Sequence, residues 1–392
     1  MQDQLFNINE INIYYEYLFL ALITIFTIRQ INQYKLANFD LAQTNMKRVE
    51  VTGFVLCVFF SFLIGLRPLG ARAWLWGDTV NYVDWYNVNA GIPFQFDRES
   101  TNKIWDNLLM FWASNSIDIS YFFLICDAIY FGATYMACKK WFQHDTTVAY
   151  LAFLGAFSTY SYSWNGVKAG VAAALFLVAI AYYERKWFSI IFLLLSLGFH
   201  HSMQLPIGAY ILTLFFKNPK YYFYGWVFCV VMAVLHIGFF QSLFAGWSDE
   251  GGAGYLQGAV VRDETMDRGG FRPDFLLYSA VPVWFGWRLV MKEGRAVSRE
   301  YLTLLYMYLT TNGVWCLCMY ASFTNRIAYL SWFMYPFVLL YPFLKEDLTG
   351  SPMLTGRRQY DFMTIVVKYH LYFTLFMDLI FYKFIHPSNP AA

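Results

Sequence analysis

A small set of basic side chains in this sequence sits where water is scarce. Arg67, Arg72, Lys168, Arg262, Arg268, Arg272 and Arg326, joined by His200 and His201, lie at the ends of long apolar runs or in the gaps between them. Groups of this kind hold anions. A cation costs about 2.5 to 3.5 kcal/mol at the centre of a bilayer and less toward its edge, so each calls for a negative partner. Nearby carboxylates are few: Asp78 and Asp84 follow Arg67, and Asp274 follows Arg272. A ligand could supply the remaining negative charge, and lipid-linked pyrophosphate is the anion found at that depth. Snorkelling to lipid phosphates accounts equally well for any single one of these cations; for the whole set a ligand is the better account.

The elements that must position them follow from composition. The chain has 392 residues, 58% apolar and 14% charged, with a mean hydropathy of +0.40. Soluble domains carry about 25% charged residues, which excludes a water-exposed globule of this size. The sequence predicts an all-α, polytopic integral membrane protein, one multi-span domain over residues 1–392. About twelve spans are expected: Ile13 to Ile28, Val51 to Leu66, Ile119 to Ala137, Val148 to Tyr162, Val167 to Tyr183, Phe188 to Phe199, Met203 to Phe216, Tyr222 to Phe240, Phe275 to Met291, Tyr301 to Tyr320, Ile327 to Leu344 and Phe362 to Ile385. Alternate gaps hold Arg29, Lys35, Lys47 and Arg48; Lys139 and Lys140; Arg185 and Lys186; Lys217 and Lys220; Lys292, Arg295 and Arg299; and Lys345, Arg357 and Arg358. The positive-inside rule makes those gaps cytoplasmic and puts both termini outside. The short sixth and seventh spans could instead form one re-entrant pair around His200 and His201, with the rest of the map unchanged. Met1 to Glu10 carries Asp3 and Glu10 but no Lys or Arg, so the first apolar run is expected to be a retained span rather than a secretory leader. A formal charge of +2 gives no reason to expect nucleic acid as a partner. Cys57, Cys126, Cys138, Cys229, Cys316 and Cys318 fall in or beside apolar runs and read as small packing residues, not as a disulfide framework or a zinc site.

Two long gaps are assigned to the outer side, residues 67–118 and 241–274. In the first, Ile104, Trp105, Leu108, Leu109 and Trp112 recur at helical spacing, with Lys103, Asp106 and Asn107 opposite, which predicts a helix lying in the membrane interface. The second is rich in glycine and charge, as expected either of a loop that closes over a ligand or of a plain connector. Aromatic residues make up 22% of the chain. Tyr82, Trp85 and Tyr86 follow Gly77-Asp78-Thr79, and Tyr160, Tyr162 and Trp164 precede Lys168. Rings beside cations suit the stacking of sugars, although an interfacial aromatic belt has the same composition. Asp127, Lys368 and Asp378 are ionisable groups at membrane depth, for which pairing between helices is the preferred account.

Gly65-Leu66-Arg67, followed by Gly77-Asp78-Thr79 and Asn81-Tyr82, resembles the first outer loop of the EpsG family of Wzy-like exopolysaccharide polymerases. Three more stretches match in order: Asn165-Gly166-Val167-Lys168-Ala169-Gly170-Val171-Ala172, Phe199-His200-His201-Ser202, and Asn325-Arg326-Ile327-Ala328-Tyr329. The family usually carries Arg where this chain has Lys168; lysine keeps the charge without the planar fork that grips phosphate through two bonds.

This resemblance implies a metal-independent glycosyltransferase of GT-C-like architecture that uses no cofactor. It would polymerise surface polysaccharide repeat units, such as those of exopolysaccharide, capsule or O-antigen, in the bacterial cytoplasmic membrane. An undecaprenyl-pyrophosphate-linked oligosaccharide would be transferred to a lipid-linked repeat unit at the outer face, with a flippase and a chain-length regulator as partners. Such a transfer needs cations on the departing pyrophosphate and a base on the acceptor hydroxyl. Arg67, Lys168, Arg272 and Arg326 are the expected pyrophosphate ligands, with Tyr82 and Trp164 lining the sugar site. Asp78 and His200 compete as base: GT-C-like enzymes resembling this one often place a catalytic carboxylate in the first outer loop, whereas imidazoles ordinarily titrate near neutrality, at about 6.5. A ligase would use the same chemistry. A lipid-linked oligosaccharide flippase or exporter is the alternative from another class, and it would need polar groups along a path through the whole membrane.

Overall fold

Lipid offers a backbone no hydrogen bonds, so apolar runs of this length are satisfied as helices. Every regular element among the described residues is helical. The computed structural model describes residues 11–36, 39–69, 75–237, 239, 270–321, 324–348, 351 and 357–385. Met1 to Glu10, Arg72, Arg262, Arg268 and residues 241–269 lie outside them. Four segments are long and apolar enough to cross a membrane: Ile11–Gln33, Ile119–Leu154, Thr324–Lys345 and Met363–Phe381. The chain divides into two compact units, Met1–Met203 and Gln204–Ala392.

In the first unit, α1 (Ile11–Leu36) and α2 (Phe39–Gly65) pack with α5 (Ile119–Phe142) and α6 (Thr146–Leu154). α3 (Thr79–Asn89) and α4 (Lys103–Ser114) lie between α2 and α5. α7 (Phe157–Trp164), α8 (Val167–Ala181) and α9 (Lys186–Phe199) complete the unit, with α8 packed against both α5 and α9. α8 is buried along its whole length apart from Ala169. Gly170, Ala172, Ala173 and Ala174 permit this, because small residues let neighbouring backbones come close. A Cβ on Gly170 would stand 2.6 Å from the Tyr162 carbonyl oxygen. Ile25, Phe54, Phe62, Tyr121 and Leu194 are exposed, as side chains in contact with lipid would be.

Two expectations need correction here. The fourth predicted span, Val148 to Tyr162, is not one helix: it breaks at Gly155 and Ala156 into α6 and α7, of nine and eight residues. At 1.5 Å per residue neither exceeds about 14 Å, well under the roughly 30 Å of a hydrocarbon core. Both are buried within the unit, where the Thr159 hydroxyl donates to the Phe153 carbonyl at 2.5 Å and so satisfies backbone at the break. The second correction concerns α4, which forms where the interfacial helix was expected. Asn107 lies on its buried face with Trp105, Leu109 and Ala113, whereas Leu108 and Phe111 are exposed. The Asn107 amide accepts from the Asp97 backbone N–H at 2.7 Å and donates to the Asp97 carbonyl at 2.9 Å, tying the preceding loop to the helix.

The second unit is built around α13 (Arg299–Leu317), packed against α10 (Gln204–Phe215), α11 (Pro219–Val234), α12 (Pro273–Gly286), α14 (Thr324–Trp332) and α15 (Tyr335–Lys345). α16 (Arg357–Phe376) packs on α15. Asn312 joins three of these helices: Trp226 Nε1 donates to its amide oxygen at 2.8 Å, and its Nδ2 donates to Ser331 Oγ at 3.1 Å. After α12, a π-helical turn Trp287–Lys292 delivers Arg288 to Glu293 at 2.9 Å; Arg295 meets the same carboxylate at 3.0 Å and also donates to the Asp347 carbonyl at 3.0 Å. All six cysteines are free thiols.

Candidate functional site

Stretches of the first unit that lie far apart in sequence meet at one end of its helices. α2 ends there, so close to α5 that a Cβ on Gly65 would stand 2.7 Å from Leu124 Cα. α9 ends where α8 begins, with Ser196 Oγ donating to the Ala172 carbonyl at 2.7 Å.

Arg67 follows α2 and is 1% exposed. Its Nη1 donates to the Ile64 carbonyl at 3.0 Å and to Asp127 Oδ2 at 3.1 Å, and its Nη2 donates to Thr79 Oγ1 at 3.0 Å. Phe123 and Trp76 flank the guanidinium, with ring centroids at 4.6 Å and 5.8 Å. The carboxylate partner is therefore Asp127, in the third turn of α5, and not Asp78 or Asp84. The sequence flagged Asp127 as an ionisable group at membrane depth but set it apart from the motifs; a partner sixty residues away on another helix leaves no local signal. Thr79 passes the restraint on, donating to the Trp164 carbonyl at 2.5 Å.

Asp78 stands just before α3 and is partly exposed, and its carboxylate does not cap its own helix. Its backbone N–H donates to Asn165 Oδ1 at 2.8 Å. Gly77 has φ +53°, and a Cβ there would lie 2.3 Å from that same Asn165 oxygen, so both backbone conformation and space require glycine. Three residues beyond Asn165, in the first turn of α8, Lys168 is 4% exposed, with its ammonium 5.9 Å from the Tyr82 ring centroid. Tyr82 meets Trp105 edge to face at 4.9 Å. Trp164 lies 6.0 Å from Trp76, and its indole Nε1 is buried with no hydrogen-bond partner among the described residues. Asp78, Tyr82, Trp164 and Lys168 thus belong to one neighbourhood, in which Arg67 is turned inward.

His200 caps the end of α9 and is buried. The Ser202 backbone N–H donates to its Nδ1 at 3.2 Å, and the Ser202 hydroxyl reaches the same nitrogen at 2.5 Å. A backbone N–H can only donate, so Nδ1 holds a lone pair and the neutral ring carries its proton on Nε2. His201 stacks on His200 at 5.6 Å between ring centroids, and its backbone N–H donates to Asn102 Oδ1 at 2.9 Å. Asn102 is fully buried at the start of α4 and connects the His-His turn to that helix. Asn102, Asn165 and Ser202 escaped assignment from sequence because each acts through an oxygen or a backbone group rather than through charge. Among the described residues, no three His, Cys, Asp or Glu side chains gather as a metal site.

The sequence model of the EpsG family matches residues 51–386. The chain belongs to the EpsG family. No curated protein and no solved structure matches it. In this EpsG family member the second unit holds the other two expected ligands. Arg272, at the start of α12, grips Asp274 through Nε at 3.0 Å and Nη2 at 2.6 Å, and lies over Phe275 at 3.9 Å. That pairing is the one anticipated from sequence. Arg326 is exposed in the first turn of α14, behind Thr324, whose hydroxyl accepts from Trp315 Nε1 at 3.1 Å.

Proposed function

We propose that this protein is a polysaccharide polymerase that transfers an undecaprenyl-pyrophosphate-linked glycan to a lipid-linked repeat unit. The site is assigned to the outer face of the bacterial cytoplasmic membrane, within a polytopic, GT-C-like scaffold. One observation carries the reading: the Gly77-Asp78-Thr79, Asn165-to-Lys168 and Phe199-to-Ser202 stretches gather with Arg67 at one end of the first unit, bringing a carboxylate and a buried ammonium into one aromatic-lined neighbourhood. In the proposed reaction the acceptor hydroxyl attacks the anomeric carbon, its proton passes to Asp78, and the bonding pair of the broken C–O bond leaves on the pyrophosphate. Lys168 stabilises that charge in the place of a metal ion. Arg272 and Arg326, in the second unit, remain candidate anion ligands on charge alone. The His200 hydrogen bonds favour Asp78 as base, because the His200 Nδ1 lone pair is already engaged by Ser202 and the neutral ring offers a donor at Nε2. A flippase would supply the substrate and a chain-length regulator would set the product.

The experiment is deletion of the gene, with complementation by the wild type and by Asp78→Asn, followed by separation of lipid-linked glycans according to leaflet. Single repeat units on the outer leaflet are expected in the deletion strain and in Asp78→Asn. Retention of repeat units on the inner leaflet identifies a flippase instead, and full polymer from Asp78→Asn removes Asp78 as the base.

A further inference from the structure

Asp127 lies deep in α5, about 12 Å along the helix axis from Ile119, and yet it is connected to the candidate site by an unbroken chain of bonds. Its carboxylate holds Arg67, Arg67 donates to Thr79, and Thr79 donates to the Trp164 carbonyl; one residue to either side, the Asp78 N–H donates to Asn165. Both members of the ion pair have side chains that are 0% exposed. A sealed pair of this kind is a poor source of stability, since well-packed apolar residues of similar volume often serve as well or better. What it supplies is direction. A guanidinium is a rigid planar fork, and here it sets the Ile64 carbonyl, Asp127 and Thr79 at fixed angles around one group.

We infer that Asp127 and Arg67 form a positioning pair that locks the Gly77-Asp78-Thr79 turn onto the α7–α8 junction and so fixes the Asp78 carboxylate relative to Lys168. The inference rests on the reading of Asp78 as the base. Arg67 then acts through Thr79 and not on the leaving group. A base displaced by about 1 Å can lose on the order of 100-fold in rate while the substrate still binds, so the effect falls on kcat and spares KM.

The test uses the full-length protein in lipid vesicles, with lipid-linked repeat units extracted from the deletion strain as substrate. Thr79→Val removes both hydrogen bonds while keeping the shape and leaving the ion pair in place. Its kcat is expected to fall about 100-fold with KM little changed, and Thr79→Ser is expected to restore most of the rate. The double variant Arg67→Met with Asp127→Leu replaces the pair with apolar volume, so it is expected to fold and yet show the same loss of kcat. Wild-type kcat in Thr79→Val, or in the double variant when its melting point is unchanged, overturns the positioning role. Asp78→Asn separates the two claims. If that variant is inactive while Thr79→Val is fully active, the positioning role alone fails; if Asp78→Asn is fully active, the general-base reading fails and takes the positioning role with it.

Discussion

Arg67 in the first unit and Arg272 in the second each place a guanidinium beside a carboxylate and an aromatic ring, but their partners differ in sequence distance and in contact with water. Arg67 pairs with Asp127 across sixty residues and is sealed. Arg272 pairs with Asp274 two residues away, with the two side chains 22% and 28% exposed. The first pair ties separate helices together and cannot lose one member cheaply. The second is local and partly exposed, so losing one member disturbs the fold less. Removing one partner of a buried pair strands a charge: Arg67→Ala and Asp127→Ala should each lower stability by about 3–5 kcal/mol. Arg272→Ala should cost less, on the order of 1–2 kcal/mol, because it loses a local, part-buried pair and the contact over Phe275. Chemical denaturation of the purified variants measures both, and equal losses at the two sites would break the contrast.

Two glycines sharpen the comparison at smaller amplitude. Gly77 and Gly294 both have positive φ, +53° and +61°. A Cβ on Gly77 would stand 2.3 Å from Asn165 Oδ1, whereas one on Gly294 would meet nothing within 4 Å. Gly294→Ala should therefore show backbone strain alone, about 1–2 kcal/mol. Gly77→Ala should cost more, because the Asp78–Asn165 hydrogen bond must also shift, and it should abolish polymer formation. Thermal melting together with glycan analysis of the two variants separates strain from displacement. Similar polymer yields would mean that the Gly77 turn does not carry the site.

Much of this contrast could be read in the sequence, because hydropathy reports burial. The apolar runs predict most of the helices, the stretch from Lys103 to Trp112 predicts α4, and the basic residues mark the ends of α2, α8 and α9. The choice of partner was not legible. Arg67 has Asp78 and Asp84 close by in sequence yet takes Asp127, because α2 and α5 pack side by side and bring their polar groups together inside a low-dielectric interior. Asn107 reads as an exposed polar residue, but its amide meets both backbone groups of Asp97, and a fully bonded amide is inexpensive to bury. The break between α6 and α7 is masked by the continuous apolar character of the segment. Hydropathy cannot tell a helix from two short ones when neighbouring side chains, such as Thr159, satisfy the backbone between them.

The smallest expected effect belongs to Glu293, which lies outside the spans in the second unit. Partial burial works to raise the Glu293 carboxyl, but hydrogen bonds from Arg288, Arg295 and Ser351 outweigh it and hold the group below its usual value of 4.5. A carboxylate whose value is lowered on folding stabilises the native state above its unfolded value, and that contribution disappears as pH falls through the lower folded value. Melting points taken from neutral pH down to about pH 3 should therefore drop in the wild type below pH 4.5. Glu293→Gln should be less stable than the wild type at neutral pH and should converge with it in acid. The convergence reports on Glu293 itself. If the two proteins keep a constant separation over the whole range, the Glu293 contacts add nothing through charge and work by packing alone.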